Sequence, residues 1–300
     1  MSRIALSRLL IAVSAFAACS SENQQIDIEV ETGIHRGFAP VNEGQIFYEE
    51  SGTGYPVVLV HGVSGDRRHW DSQFEFLARN FRVIRYDVRG FGNSSLPVNE
   101  VPYTDHADLL ALLDYLQISD AHVVGWSMGS GIAFDFATMY PERTKTVTSV
   151  GPWVNGHLTP LVTDFYKRMG AVGEAAAAGG AEAGTAAFMD LIFHDTIRQQ
   201  SASEIFEQIA LEYSWWEFIN DSPKESLEPT AASTLAQLGV PTLVLTAEHD
   251  LEACREMGEL IVASLPDARQ VVMSGTGHLM HIEKPAELNA ILTDFLGSEM

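Results

Sequence analysis

Apolar and polar positions alternate between two regimes along most of the chain: short runs of consecutive apolar residues, and longer segments with apolar residues at helical spacing. Gln45-Ile46-Phe47-Tyr48-Glu49 predicts an early strand and Ser51-Gly52-Thr53-Gly54 a turn. Pro56-Val57-Val58-Leu59-Val60 is apolar throughout, as expected of a strand covered on both faces. Phe81 to Tyr86, Val123-Val124, Thr146 to Val150, Pro241 to Thr246 and Gln270 to Met273 continue the series. Between them lie helix-like stretches, such as Asp105 to Gln117 with Leu109, Leu110, Leu112, Leu113 and Leu116 on one side. Strands alternating with helices predict an α/β fold with a mostly parallel, doubly wound sheet, and function in such sheets gathers at the carboxyl ends of the strands.

The pattern changes between residues 152 and 235. Strand runs disappear, and helix-like segments carry Trp153, Phe165, Tyr166, Phe188, Phe193, Phe206, Trp215, Trp216 and Phe218 around an Ala/Gly-rich patch at 170–187. This predicts a helical insertion over the strand ends. Most of its aromatics would form the insertion's own core, and a few would line a substrate pocket. The chain therefore divides into a core of residues 36–151 and 236–300 with a helical cap at 152–235.

The N-terminus follows another logic. Arg3 and Arg8 flank a short apolar segment that runs through Ala17-Ala18 to Cys19, the form of an export signal over residues 1–18 and too short for a membrane span. Residues 19–35 read as a polar tether. The tail Phe16-Ala17-Ala18-Cys19 resembles the lipobox of bacterial lipoproteins, in which the cysteine is lipidated, although Phe16 departs from the usual aliphatic residue. The rival is cleavage after Ala15-Phe16-Ala17, which would release a soluble periplasmic or secreted protein. Membrane attachment is expected only through a lipid on Cys19. The other cysteine, Cys254, reads as a small buried residue, and no metal cluster is expected.

Composition narrows the partners. The 300 residues are 46% hydrophobic, enough to bury a full core. The 18 Lys and Arg face 40 Asp and Glu, a formal charge of −22, which argues against nucleic acid and against a polybasic membrane contact. The acidity is read as solubility.

The chemistry centres on Gly125-Trp126-Ser127-Met128-Gly129. It follows the apolar run Ala121-His122-Val123-Val124 and precedes the helix-like Ile132 to Ala137, so the G-x-S-x-G sits in strand–turn–helix context. A serine hydroxyl needs a base. His278, in the loop Gly275-Thr276-Gly277-His278 after the final strand, supplies one, and Asp250 after the preceding strand can orient it. The order Ser…Asp…His is the one this architecture uses. His61-Gly62-Val63 follows an early strand, so the backbone N–H groups of Val63 and Met128 would form an oxyanion hole. Trp126 and Trp153 are the expected substrate-binding side chains. Glu248 competes with Asp250 as orienting acid, and His61, His249 and His281 are alternative histidines read as structural. Asp87 reads as a structural carboxylate bonding turn amides, and Ser94, Ser95 and Ser130 as turn and cap residues.

On these segments, together with Asp87-Val88-Arg89-Gly90-Phe91-Gly92-Asn93-Ser94 and Glu283-Lys284-Pro285, the chain resembles the capped branch of the α/β-hydrolase superfamily. The resemblance implies an eight-stranded sheet with a lid after the sixth strand, a small-molecule ester substrate and no cofactor. Serine at the elbow is unlike the haloalkane dehalogenases and epoxide hydrolases, which carry aspartate there, and Trp-Ser-Met differs from the elbow of prolyl iminopeptidases. Carboxylesterases, lactonases, carbon–carbon bond hydrolases and cofactor-free perhydrolases remain, beside a non-catalytic ligand-binding homologue.

Overall fold

The computed structural model describes residues 33–193, 201–265 and 267–300. The strands are β1 (Ile34–Val41), β2 (Gly44–Ser51), β3 (Pro56–Val60), β4 (Arg82–Tyr86), β5 (Ala121–Trp126), β6 (Thr144–Val150), β7 (Thr242–Ala247) and β8 (Arg269–Met273). They form one sheet in the order β1-β2-β4-β3-β5-β6-β7-β8. Pairings β1–β2 and β2–β4 are antiparallel, and those from β4–β3 onward are parallel. Every residue of β5 and β7 is buried, so both faces of the sheet are covered and these strands need no polar alternation.

The helices are α1 (Asp71–Leu77), α2 (Asp105–Tyr115), α3 (Met128–Met139), α4 (Pro160–Ile192), α5 (Ser201–Ala210), α6 (Trp216–Ile219), α7 (Ala231–Thr234), α8 (Glu252–Ser264), α9 (Met280–Glu283) and α10 (Pro285–Ser298). α2 packs on α3, and α1 on α10. The segment between β6 and β7 carries α4 to α7 and contains no sheet strand among the described residues, as its sequence predicted. The Ala/Gly patch at 170–187 lies inside α4, which bends at Gly180, where the backbone leaves the helical region.

One expectation changes. β1 begins at Ile34, inside the stretch read as tether. Its Gly37 and Pro40 suppress a strand signal, yet as an edge strand β1 pairs only with β2, so a missing side chain and a missing N–H are tolerated. The predicted strand 45–49 carries a buried charge: Glu49, 1% exposed, pairs with Arg36 at 2.6 Å and Arg85 at 2.6 Å. The expected export signal and the lipidation site Cys19 lie outside the described residues.

Candidate active site

The elbow is built by close packing of backbone. Ser127 joins β5 to α3 with φ 54 and ψ −114, a left-handed conformation that L side chains rarely adopt. A Cβ on Gly125 would lie 2.1 Å from the carbonyl oxygen of Gly129, and one on Gly129 would lie 2.2 Å from that of Val60. Only glycine fits either place, which is the physical content of the motif. The turn is closed by Ser127 N–H donating to Val150 O at 2.9 Å and by Ser130 N–H donating to Ser127 O at 2.9 Å. α3 begins at Met128, so its N-terminal amides point toward the reaction centre. Ser130 is spent on structure, its hydroxyl lying 2.7 Å from that of Ser149 and donating to Trp153 O at 2.9 Å.

His278 and Asp250 meet as expected. Nδ1 of His278 lies 2.7 Å from Oδ1 of Asp250, and both side chains are buried. A carboxylate only accepts, so Nδ1 carries a proton toward Asp250, and the neutral ring has its lone pair on Nε2. Leu251 N–H donates to the same Asp250 oxygen at 2.9 Å. The ring has room because β6 is followed by Gly151, where a Cβ would sit 2.9 Å from Cε1 of His278. The rival Glu248 is engaged elsewhere, accepting from Gly275 N–H at 2.8 Å. Glu283 accepts from Gly277 N–H at 2.8 Å and so braces the loop that carries the histidine.

The other candidate histidines named for this loop and for β3 are structural. His61 holds the β3 and β4 loops together, with Nδ1 2.7 Å from Gly62 O and Nε2 accepting from Val88 N–H at 3.0 Å. His281 is fully buried against Trp126, ring centroids 4.6 Å apart, and burial pushes its pKa well below the usual imidazole value. Asp87 accepts from the backbone of Arg67 at 3.0 Å and of Asn93 at 2.8 Å, as a structural carboxylate should.

Ser127, Met128, Val63 and His278 line one cavity of about 480 Å³. No hydrogen bond joins the Ser127 hydroxyl to the His278 ring. The Trp153 side chain lines this cavity, as expected, but Trp126 does not. Only 1% exposed, it lies on the other side of the strand and donates Nε1–H to His278 O at 2.9 Å. Side chains alternate along a strand, so the residue before the elbow serine faces the packing and not the substrate space.

Three polar groups on this cavity were missed or unplaced. Asp135 lies on α3 in the register of Met128 and Ile132, and all three face the cavity. Lys224 and Glu217 enter from the segment between β6 and β7, where Lys224 Nζ lies 3.4 Å from Asp105 and 3.4 Å from Glu217. An i, i+4, i+7 stripe from Met128 is a signal that could have found Asp135. Nothing local marks the other two.

Among the described residues one set of donors could hold a metal ion: ligand atoms of Asp250, Cys254 and His278 lie within 4.8 Å of one another. Two of these atoms already bond each other, and burial raises the pKa of the Cys254 thiol well above its usual value, keeping it protonated.

A strained serine after the central strand, with a buried His–Asp pair beyond the later strands, defines the α/β-hydrolase class. Residues 55–285 match the family model of the alpha/beta hydrolase fold, and the chain belongs to that family and is a hydrolase of this type. It is 27% identical over 304 residues to a 2-hydroxy-6-oxo-6-phenylhexa-2,4-dienoate hydrolase of Comamonas testosteroni, covering 89% of this chain and 98% of the relative. It is 26% identical over 265 residues to a protein of Azorhizobium caulinodans provisionally named a carbamate hydrolase, covering 87% and 98%. Among solved structures, a thermophilic esterase from Thermogutta terrifontis superposes with a TM-score of 0.72 at 24% identity, covering 92% of this chain and 99% of that one.

Proposed function

We propose that the protein is a serine hydrolase that cleaves carboxylic esters of small to medium, largely apolar substrates. The observation that carries this reading is the strained Ser127 on the same cavity as His278, whose other nitrogen is held by Asp250. Nε2 of His278 takes the Ser127 proton as Oγ attacks the carbonyl carbon. The backbone N–H groups of Val63 and Met128 bind the developing oxyanion, and Asp250 stabilises the imidazolium. His278 then protonates the leaving alcohol, and water repeats the sequence on the acyl-enzyme. The helices after β6 act as the cap that shapes the substrate space, with Trp153, Phe165 and Phe188 on the shared cavity supporting an apolar acyl or alcohol group.

A carbon–carbon or carbamate bond is the second reading, favoured by the two relatives. Lys224 stands on the cavity, as a dienoate carboxylate would require, but Asp105 and Glu217 already neutralise it, which favours esters.

The test is a fluorophosphonate probe followed by a panel of esters, lactones, carbamates and a 2-hydroxy-dienoate. Labelling of Ser127 and turnover of short p-nitrophenyl esters are expected, and Ser127→Ala should lower that turnover by roughly three to six orders of magnitude. Wild-type hydrolysis by the Ser127→Ala protein would rule the mechanism out. An unlabelled Ser127 in folded protein would favour a ligand-binding role.

A further inference from the structure

The cavity has a second chemical end that ester hydrolysis does not use. Asp135 is 9% exposed, and its Oδ2 accepts from Asn155 Nδ2 at 2.7 Å. Its Oδ1 is buried without a hydrogen-bond partner among the described residues, and the residue lines the cavity. A half-satisfied buried carboxylate is costly and calls for an occupant. Burial pushes its pKa up to about 6, which still leaves it mainly ionised at neutral pH.

The surroundings select the sign of that occupant. Asp105, Asp135 and Glu217 share this end of the cavity with a single cation, Lys224, which lies between Asp105 and Glu217. An anionic group would meet uncompensated carboxylates, whereas a cation would reduce their excess. Trp153, Phe165 and Tyr166 on the same cavity form an aromatic cluster with centroids 5.1 to 6.2 Å apart, and ring faces attract organic cations. Distance follows from the helix: Met128 to Asp135 spans seven residues, about 10 Å along the axis.

From Asp135, Asn155 and the aromatic cluster we infer a subsite for a protonated amine, carried by the substrate several bonds from its scissile carbonyl. The amine N–H donates to Asp135 Oδ1, Asn155 holds the other oxygen, and the rings cover the apolar substituents. The strongly acidic chain would also raise the local concentration of such a substrate. This inference rests on the ester-hydrolase reading for its substrate, though not for its binding chemistry.

The test compares three matched esters ending in a dimethylamino group, in an isopropyl group and in a carboxylate. Each end group is placed on the acyl chain and, separately, on the alcohol. A tertiary amine is protonated at neutral pH and cannot itself accept the acyl group. In one of the two series kcat/KM should favour the amine over the neutral ester by about tenfold, with the carboxylate poorest, and in Asp135→Asn the ratio should approach one. A ratio near one for wild type in both series, or an unchanged ratio in Asp135→Asn, overturns the subsite. Independently of turnover, binding of a dimethylalkylamine and its neutral isostere to Ser127→Ala is measured by calorimetry. Preference for the amine there supports the subsite even if no ester is turned over, and equal binding overturns it. Failure of fluorophosphonate labelling would instead count against the ester-hydrolase reading alone.

Discussion

The sheet around the elbow and the helical segment after β6 use glycine and small residues for opposite ends. At the elbow, Gly125 and Gly129 let backbone meet backbone, and no movement of a side chain could relieve an added methyl group. In α4 the small residues let one helix approach large aromatic neighbours: a Cβ on Gly184 would lie 2.9 Å from the Trp215 ring, and one on Gly173 would lie 3.1 Å from Phe218 Cβ as well as 2.8 Å from its backbone oxygen. The first region specifies one strained geometry for Ser127. The second leaves large side chains partly in solvent, among them Leu161 at 42% and Tyr166 at 47% exposed, and Tyr166 borders the space that a ligand can fill. The difference teaches that rigidity belongs to the bond-making groups and adaptability to the walls.

Breaking the rigid side should have the largest effect. Gly125→Ala places a methyl group against the α3 backbone and should destabilise the protein by roughly 4 kcal/mol or more, read by urea denaturation with loss of fluorophosphonate labelling. Trp215, fully buried in the helical segment, is the matching probe there. Trp215→Ala should cost about 3–4 kcal/mol, and limited proteolysis should then cut first between β6 and β7.

Asp135 joins the two regions, since it lies on α3 and is covered by the inserted segment. Burial raises its pKa to about 6 from 3.8, so the folded state binds its proton more tightly than the unfolded state. Its contribution to stability is therefore greatest below the unfolded value and is lost as pH rises through about 6. Asp135→Asn should be more stable than wild type by about 1–3 kcal/mol at neutral pH, and the advantage should fade toward pH ~4, as paired melting curves would show. The smallest effect belongs to the exposed wall: Tyr166→Ala should change stability by under ~0.5 kcal/mol while moving KM for apolar esters several-fold.

The rigid region was the legible one. Strands buried on both faces read as unbroken apolar runs, and the elbow reads as glycines around a serine because its steric demand is local. The order of Ser127, Asp250 and His278 reports which strand end each occupies. Trp126, expected on the substrate space, faces the packing because side chains alternate along β5. β1 was hidden by Gly37 and Pro40, which an edge strand tolerates. Asp135 resembles any solvated helical carboxylate until the helices after β6 bury it.

By itself the sequence determined the alternating α/β sheet, the helical insertion and the three strand ends that carry Ser127, Asp250 and His278. These follow from periodicity and from backbone packing within a few residues. Only the tertiary structure decided that Asp250 and not Glu248 meets the imidazole, that Trp126 braces the His278 loop, and that Asp105, Asp135, Glu217 and Lys224 share a cavity with the serine. Those are contacts between segments far apart in the chain, set by how the sheet twists and how the inserted helices settle on it, and no local pattern encodes them.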